Sequence, residues 1–320
     1  MTSADGYPTG TVERARWVLD RRGTKNAVRA DRAYAQILEQ EPLEDGTIAD
    51  VATIFLTNRE CPWKCVMCDL WRNTASAPAG SVPAQIARAL EELPGSRKAT
   101  VLKLYNSGSF FDVGAIPRSD WSAIAELCGP FDRVIVECHP RLVTPAVLEF
   151  ADMLSASLEV AMGLETAHRD ALEKINKRIT VDDFRRAADF LRTNEISVRT
   201  FLLVGVPFIM TKEQFHWLKR SVEFAFNAGT NVISLIPTRS GNGGLDELQS
   251  RGEFYEPTLS ELEAAHEFGL GLNAGRVFAD TWDIERFSGC TICAGARAMR
   301  IATMNLNQRI LPRVECTCGE

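Results

Sequence analysis

The chain has 320 residues, of which 45% are hydrophobic and 24% charged, and its formal net charge is -6 at pH 7. These proportions are typical of globular proteins, and no apolar run approaches the roughly 20 residues that a membrane-spanning helix needs. The acidic balance argues against a protein whose main role is to bind a long phosphate backbone. The segment Met1–Pro8 has neither the basic nor the apolar part of a signal peptide, so we expect a cytoplasmic protein.

The predicted elements alternate along most of the chain. After a helical stretch from about Val12 to Gln40, short β-branched runs alternate with amphipathic segments. The predicted strands are Val51–Thr57, Thr100–Tyr105, Arg133–Cys138, Leu158–Gly163, Val198–Val204 and Asn231–Ile236. The predicted helices are Pro83–Leu93, Asp120–Leu127, Pro145–Leu154, Ala167–Ile175, Val181–Thr193 and Lys212–Ala228. This alternation predicts a parallel sheet with right-handed crossovers, buried on both faces. Periodicity alone leaves an open doubly wound sheet and a partial barrel as alternatives.

Three cysteines at C-x3-C-x2-C spacing, Cys61, Cys65 and Cys68, directly follow the first predicted strand. That spacing wraps a short loop around one cubane iron–sulfur cluster and supplies thiolates to three of its four irons. Ferredoxin runs ligate every iron, so an open fourth iron indicates chemistry at the cluster rather than electron storage. The alternatives are zinc ligands or buried core thiols. A structural zinc site requires four ligands, and the nearest histidine, His139, is remote in sequence.

The cysteine spacing, with Met67 just before the last cysteine, resembles the radical S-adenosylmethionine (radical SAM) superfamily. Further segments resemble the branch that includes the catalytic subunit of Elongator and the radical SAM subunit of archaeosine synthase. These segments are Gly163–Thr166, Leu172–Thr180, Phe201–Phe208, Ile236–Leu245 and Arg251–Pro257. The likeness covers roughly residues 50–318.

The resemblance decides between the two folds, because it implies an α/β protein with a partial (β/α)6 barrel of the TIM type. We expect an N-terminal helical extension over 1–48, the barrel over 49–240 and a cysteine-containing C-terminal extension over 241–320. The resemblance also implies a 4Fe–4S cluster that binds SAM at its open iron, and an external one-electron donor of the flavodoxin or ferredoxin type. The predicted function is a radical SAM enzyme, in which reductive cleavage of SAM yields a 5'-deoxyadenosyl radical that abstracts hydrogen from the substrate.

The site of such a barrel lies at the carboxyl ends of its strands. After the second predicted strand, Asn106-Ser107-Gly108 stands where the family has a Gly-Gly-Glu-like segment whose backbone binds the SAM amino group; an ordinary turn is the alternative. Glu137 and Glu165 each end a buried strand. Because a buried carboxylate is costly unless it is bound or paired, both are candidates for SAM ribose or amino contacts.

Family analogy assigns further contacts to residues that otherwise look structural. Arg199 would meet the SAM carboxylate, while Val204, Gly205 and Ile236 would pack against adenine; as bare sequence, the apolar ones are simply core. Met67, just before the last cysteine of the loop, is a further candidate for cofactor contact. His139 precedes a proline, so we expect a turn residue whose catalytic use stays open. Cys128 and Cys138, which stand alone in apolar patterns, are expected to be buried thiols.

Four more cysteines, Cys290, Cys293, Cys316 and Cys318, lie near the C-terminus. Four thiolates suffice for a closed structural zinc site or a fully ligated second iron–sulfur cluster. Two unrelated reduced pairs are the alternative.

The expected substrate is a small molecule or a nucleoside-like compound, because the chain is acidic and carries no added RNA-binding domain. The archaeosine synthase likeness keeps a tRNA base as the alternative, with the basic run Arg14–Arg32 as its contact surface. A non-catalytic iron–sulfur or zinc protein is the third hypothesis.

Overall fold

A computed structural model of the chain describes residues 6–318. The first five residues of the predicted N-terminal extension and the last two of the C-terminal extension therefore lie outside the described residues. Within residues 6–318, eight strands form one sheet in chain order: β1 (Ala35–Pro42), β2 (Ile48–Leu56), β3 (Val101–Asn106), β4 (Arg133–Glu137), β5 (Ser157–Glu165), β6 (Ser197–Val204), β7 (Val232–Pro237) and β8 (Arg276–Ala279). β1 pairs antiparallel with β2, and all later neighbours are parallel.

The helices connect the parallel strands as crossovers or flank the sheet. They are α1 (Thr11–Asp20), α2 (Ser81–Glu92), α3 (Trp121–Cys128), α4 (Ala146–Ala151), α5 (Arg169–Lys174), α6 (Val181–Thr193), α7 (Thr211–Asn227), α8 (Gly244–Ser250), α9 (Leu259–Gly271) and α10 (Ala294–Asn307). Among the described residues, none of these helices combines the length and hydropathy needed to cross a bilayer.

Alternate residues of the strands face two different environments. One set, including Ile54, Leu104 and Val136, packs with helix residues in the main core. The other set faces the inside of the curved sheet, where Tyr105 of β3 lies 6.0 Å from Phe201 of β6, measured between ring centroids. Because β3 and β6 are not neighbours in the sheet, this contact crosses the interior. The curled sheet confirms the predicted partial barrel.

Ion pairs, of which those of Arg199 and Lys103 with Glu41 are buried, close the end of the barrel at which the parallel strands begin. Arg199 Nε donates to Glu159 (2.7 Å), and its terminal nitrogens donate to Glu41, one of them at 2.8 Å. Glu44 accepts from both Arg133 (2.9 Å) and Arg276 (2.6 Å). We call this set the basal charge network; its members are Glu39, Glu41, Glu44, Lys103, Arg133, Glu159, Arg199 and Arg276. A ligand must therefore enter from the opposite end.

The predicted helix from Val12 to Gln40 is correct only for its first part. Helix α1 covers Thr11–Asp20, whereas Ala35–Pro42 is strand β1. Glu41 of β1 belongs to the basal charge network. From the sequence alone, the charged residues of this segment are equally typical of the solvent-exposed face of a helix. The sequence analysis also missed the four-residue β8, which pairs with the edge of β7.

Candidate functional site

The loop that carries Cys61, Cys65 and Cys68 lies at the end of the barrel where the parallel strands end. It follows β2 and packs against the turn after β3. A Cβ added at Gly108 would lie 3.2 Å from Cβ of Cys61, and the φ of Gly108 is +143°. This close approach explains why the turn contains glycine.

Hydrogen bonds from two distant segments fix the cysteine loop. The backbone N–H of Val66 donates to the carbonyl oxygen of Ile175 (3.0 Å), and Asn176 Nδ2 donates to that of Lys64 (3.1 Å). From the loop after β7, Asn242 Nδ2 donates to the carbonyl oxygen of Val66 (2.8 Å). The loop is therefore held by the segments that follow α5 and β7.

The three thiols lie close enough to influence one another. Burial raises the pKa of Cys61, and it raises that of Cys68 to about 12. Burial also raises the pKa of Cys65, and the neighbouring Cys68 and Cys61 raise it further. Because ligation requires thiolates, this partly buried set needs a strong cationic partner. A metal cluster meets that requirement, so the three cysteines fit the predicted cofactor.

A buried ion pair, which the sequence analysis did not predict, lies beside these cysteines. Lys177 Nζ is 2.5 Å from Glu165 Oε1. Burial lowers the pKa of Lys177, but Glu165, Cys65 and Cys61 together raise it more. A side chain at Gly163 would overlap both members of the pair. Glu165 itself has φ +67°, a strained conformation of the kind that clusters at functional sites. The segment Asn176-Lys177-Arg178 carried the resemblance, but no sequence signal gave Lys177 a role.

His139 supports the cysteine loop through a stacked contact. Its ring lies parallel to that of Trp63, with 3.6 Å between centroids and 3° between planes. Nε2 of His139 lies 3.0 Å from the carbonyl oxygen of Lys177. Burial lowers the pKa of His139 to about 3, so the ring is neutral at pH 7. As predicted for a turn residue, its Nδ1 also accepts from the backbone N–H of Arg141 (3.3 Å).

The predicted residues at the ends of β3 and β4 come together. The backbone N–H of Asn106 donates to Glu137 Oε2 (3.2 Å), and burial raises the pKa of Glu137 to about 8. Asn106 is 1% exposed, yet neither its amide oxygen nor its amide nitrogen has a partner among the described residues; the same holds for the buried Asn58 after β2. Ser107, next in the chain, is also buried. Buried unpaired amides are costly, so these two side chains are candidates to bind a polar ligand.

The structure does not bring Arg199 to this end of the barrel. It is 2% exposed, and its guanidinium is already paired within the basal charge network. The predicted contact of Arg199 with the SAM carboxylate is therefore not part of the candidate site. The sequence could not show that glutamates from β1 and β5 would pair with this arginine.

The apolar candidates divide between two places. Val204 belongs to the helix-facing core and lines a cavity of about 180 Å³ bounded by α7 and α9. It therefore does not face the barrel interior. Met67 and Ile236 instead pack against one small apolar cluster with Leu203 and Val206, at the strand ends. Cys128 and Cys138 are buried, as predicted.

The four C-terminal cysteines form a second candidate metal centre. Their sulfur atoms all lie within 4.8 Å of one another, with Cys290 to Cys316 at 3.9 Å and Cys293 to Cys318 at 3.8 Å. Two unrelated pairs are therefore not what the structure shows. The edge of a zinc tetrathiolate is about 3.8 Å for Zn–S bonds of about 2.3 Å. A cubane holds its thiolates farther apart because each binds a different iron, so the geometry favours a single tetrahedral ion.

The chain is similar in sequence to several known proteins. No protein-family profile matches the chain. It is 31% identical over 181 residues to archaeosine synthase subunit beta of Thermococcus kodakarensis, covering 54% of this chain and 56% of that protein. It is 26% identical over 300 residues to archaeosine synthase subunit beta of Methanosarcina acetivorans, covering 87% and 85%. An uncharacterised protein of Methanocaldococcus jannaschii is 23% identical over 310 residues, covering 90% and 85%.

Two solved structures share the fold. Elp3 of Methanocaldococcus infernus, lacking its N-terminus, superposes with a TM-score of 0.54 at 15% identity, covering 69% of this chain and 59% of that one. Methylornithine synthase superposes with a TM-score of 0.51 at 11% identity, covering 83% and 68%. The chain resembles this radical SAM branch. Because it spans little more than half of the Elp3 chain and of the Thermococcus protein, their complete activities are not transferred to it.

Proposed function

We propose that this chain is a radical SAM enzyme that abstracts hydrogen from a small-molecule or nucleoside-like substrate held in the barrel mouth. The observation that supports this proposal is the loop of three cysteines at C-x3-C-x2-C spacing, which hydrogen bonds fix at the end of the barrel that the basal charge network leaves open. When bound, a 4Fe–4S cluster and SAM supply a 5'-deoxyadenosyl radical, and the chain supplies binding, orientation and exclusion of water.

Three cysteines and their supports hold the cluster in this proposal. Cys61, Cys65 and Cys68 are its ligands. The stack of Trp63 on His139 and the hydrogen bonds from Asn242 keep the loop in one position.

The SAM site combines one cation with unpaired polar groups. Lys177 places an ammonium group beside Cys61 and Cys65, so it replaces Arg199 as the partner of the SAM carboxylate. The free amides of Asn106 and Asn58 and the carboxyl group of Glu137 offer hydrogen bonds to the amino and ribose groups.

Modification of a tRNA base is the second candidate function, because two relatives are named archaeosine synthase subunit beta. Against it, three arginines of the basic run are already paired: Arg14 with Glu173, Arg22 with Glu60 and Arg29 with Asp31. Fewer cations are then free to contact phosphates.

A purely structural iron–sulfur or zinc protein would have no need of the unpaired buried amides. An external one-electron donor of the flavodoxin or ferredoxin type would be the partner of the enzyme.

Anaerobic reconstitution tests the proposed function. Protein loaded with iron and sulfide should show the absorption and EPR spectra of a 4Fe–4S cluster and, with dithionite, should convert SAM to 5'-deoxyadenosine. Cys65→Ala should lose both properties, because one of three cluster ligands is missing. Cys128→Ala, which changes a buried thiol outside the loop, is the matched control and should keep both. Unchanged deoxyadenosine formation by Cys65→Ala would refute the assignment.

A further inference from the structure

The segment that follows α1 lies against both ends of the cysteine loop. We call this segment, residues 21–26, the N-terminal clamp. At the start of the loop, Arg22 Nη1 donates to Oε1 of Glu60, the residue before the first cysteine (2.6 Å). Beyond the last cysteine, the backbone N–H of Asn26 donates to the carbonyl oxygen of Arg72 (2.9 Å). The clamp therefore joins the two ends of the loop.

Several cations converge on Glu60. Lys64 Nζ lies 2.6 Å from the same carboxylate oxygen that Arg22 contacts, and it also donates to the carbonyl oxygen of Cys61 (2.7 Å). Lys25 Nζ lies 3.4 Å from the other carboxylate oxygen of Glu60. Three cations thus share one carboxylate, so this group of four side chains carries a net positive charge beside the cysteines.

Burial makes the charge of Arg22 effective at the cysteine loop. Its side chain is 8% exposed, and its guanidinium lies 4.7 Å from the ring centroid of Trp71. The charge of Arg22 also acts on Cys68, the last cysteine of the loop. Salt screens a buried charge much less than an exposed one. Arg22 therefore contributes more to the electrostatic potential at the loop than Lys25, whose side chain is 46% exposed.

Charge beside an iron–sulfur cluster changes how easily the cluster is reduced. Reduction of a 4Fe–4S cluster adds one electron, and with it one negative charge, to the cluster and its thiolates. A fixed cation nearby stabilises the reduced form, and a carboxylate nearby destabilises it, so the net charge around the cluster is one of the factors that set its reduction potential. The electron comes from the external one-electron donor of the proposed function, or from dithionite in vitro.

We propose that Arg22 sets the reduction equilibrium of the cluster, because its buried positive charge favours the reduced form while the carboxylate of Glu60 opposes it. This inference rests on the proposed function, and it assigns the N-terminal clamp a role in the electron-transfer step. Arg22 acts on the cluster through its charge and through its pairing with Glu60, so it is a positioning residue.

A redox titration of the reconstituted protein, followed by the EPR signal of the reduced cluster, tests the inference. Arg22→Gln should lower the equilibrium constant for one-electron reduction by about tenfold, which corresponds to about 59 mV. Glu60→Gln should raise this constant by a similar factor, because it removes the opposing charge. Arg22→Lys keeps the charge and should restore the equilibrium of the unmodified protein. Iron content is measured for each variant.

The opposite signs separate this role from a purely structural one. If the clamp only held the loop in place, Arg22→Gln and Glu60→Gln would both lose iron or would shift the equilibrium in the same direction, and either result would overturn the inference. The matched control is Arg29→Gln, which breaks an exposed pair with Asp31 (2.7 Å) in the same part of the chain. This variant should leave the equilibrium unchanged, since salt screens an exposed charge.

The proposed function and this inference fail in different ways. Should Arg22→Gln not fold, Glu60→Gln decides by itself, because an equilibrium constant that does not rise in that variant contradicts the inference. A cluster whose reduction equilibrium is the same in the unmodified protein and in both variants also contradicts the inference, and it leaves the proposed function intact. The absence of any cluster in the reconstituted, unmodified protein would instead refute the proposed function and the inference with it.

Discussion

At the scale of single residues, Lys177 links the ion-paired part of the site to the cysteines. Its ammonium group pairs with Glu165 and lies in the electrostatic field of Cys61 and Cys65. A lysine has three donors, so pairing with one carboxylate oxygen leaves capacity for a second anion. This is the physical basis for placing the SAM carboxylate there.

We predict that Lys177→Met weakens SAM binding by at least about tenfold and destabilises the fold by about 3 to 5 kcal/mol, because Glu165 is left buried without a partner. Equilibrium dialysis with SAM and denaturant unfolding measure the two effects.

The double variant Lys177→Met with Glu165→Gln separates the effects. It removes the unpaired charge, so it should recover most of the lost stability but not the SAM affinity. SAM affinity that stays normal in Lys177→Met would remove this residue from the cofactor site.

At the scale of elements, the basal charge network joins β1 to the parallel strands. Arg199 of β6 bridges Glu41 of β1 and Glu159 of β5, and all three are buried. The pKa of Glu41 is lowered to about 2 by Arg199 and Lys103, which outweigh the opposing effect of burial.

Arg199→Met should destabilise the protein by about 3 to 5 kcal/mol, because two carboxylates lose their partner in a buried place. SAM affinity of the folded variant should not change. The control is Arg186→Met, whose exposed pair with Asp183 should contribute no more than about 0.5 kcal/mol. Denaturant midpoints and SAM dialysis provide the measurements, and lost SAM affinity with normal stability would return Arg199 to the cofactor site.

The C-terminal cysteines connect the loop before α10 to the segment that follows it. We expect one zinc ion per chain at this centre, because the sulfur separations match a tetrathiolate. Elemental analysis should show that Cys293→Ser loses the zinc and keeps the iron of the first loop, whereas Cys128→Ser keeps both metals. Four additional irons per chain, lost in Cys293→Ser, would identify a second cluster instead.

At the scale of the whole molecule, the distribution of charge separates the two substrate hypotheses. The net charge is -6, and several cations of the basic run are neutralised by acidic partners. Arg22 also pairs with Glu60 in the cysteine loop, so changing it would disturb the cluster site as well as the surface.

We therefore predict that tRNA binds no more tightly than about 1 µM at physiological salt, the range of non-specific electrostatic binding. Fluorescence anisotropy with labelled tRNA at several salt concentrations measures this affinity. Arg16→Glu, at an exposed position on α1, tests the surface without touching the cysteine loop. Submicromolar binding that Arg16→Glu abolishes would promote the tRNA hypothesis.

The sequence by itself determined the six central strands, the cysteine loop and the four C-terminal cysteines. Each depends on a local pattern: an apolar β-branched run, or a cysteine spacing that fits one ligand shell. The placement of Asn106 and Glu137 at neighbouring strand ends was also predictable from the alternating pattern; their contact with SAM stays a prediction.

Only the tertiary structure decided which charges meet. Arg199 pairs with Glu41, which lies 158 positions away in the chain. Because of this pairing, a residue predicted to contact the cofactor lies instead in the basal charge network, at the end of the barrel opposite the cysteine loop. The glutamates of β1 can lie against the barrel only because Lys103, a cation distant in the chain, pairs with them. Lys177 likewise lies more than a hundred residues after the cysteines that it approaches. Local sequence cannot encode such pairings, because the cost of burying each charge is offset by a partner that folding alone brings near.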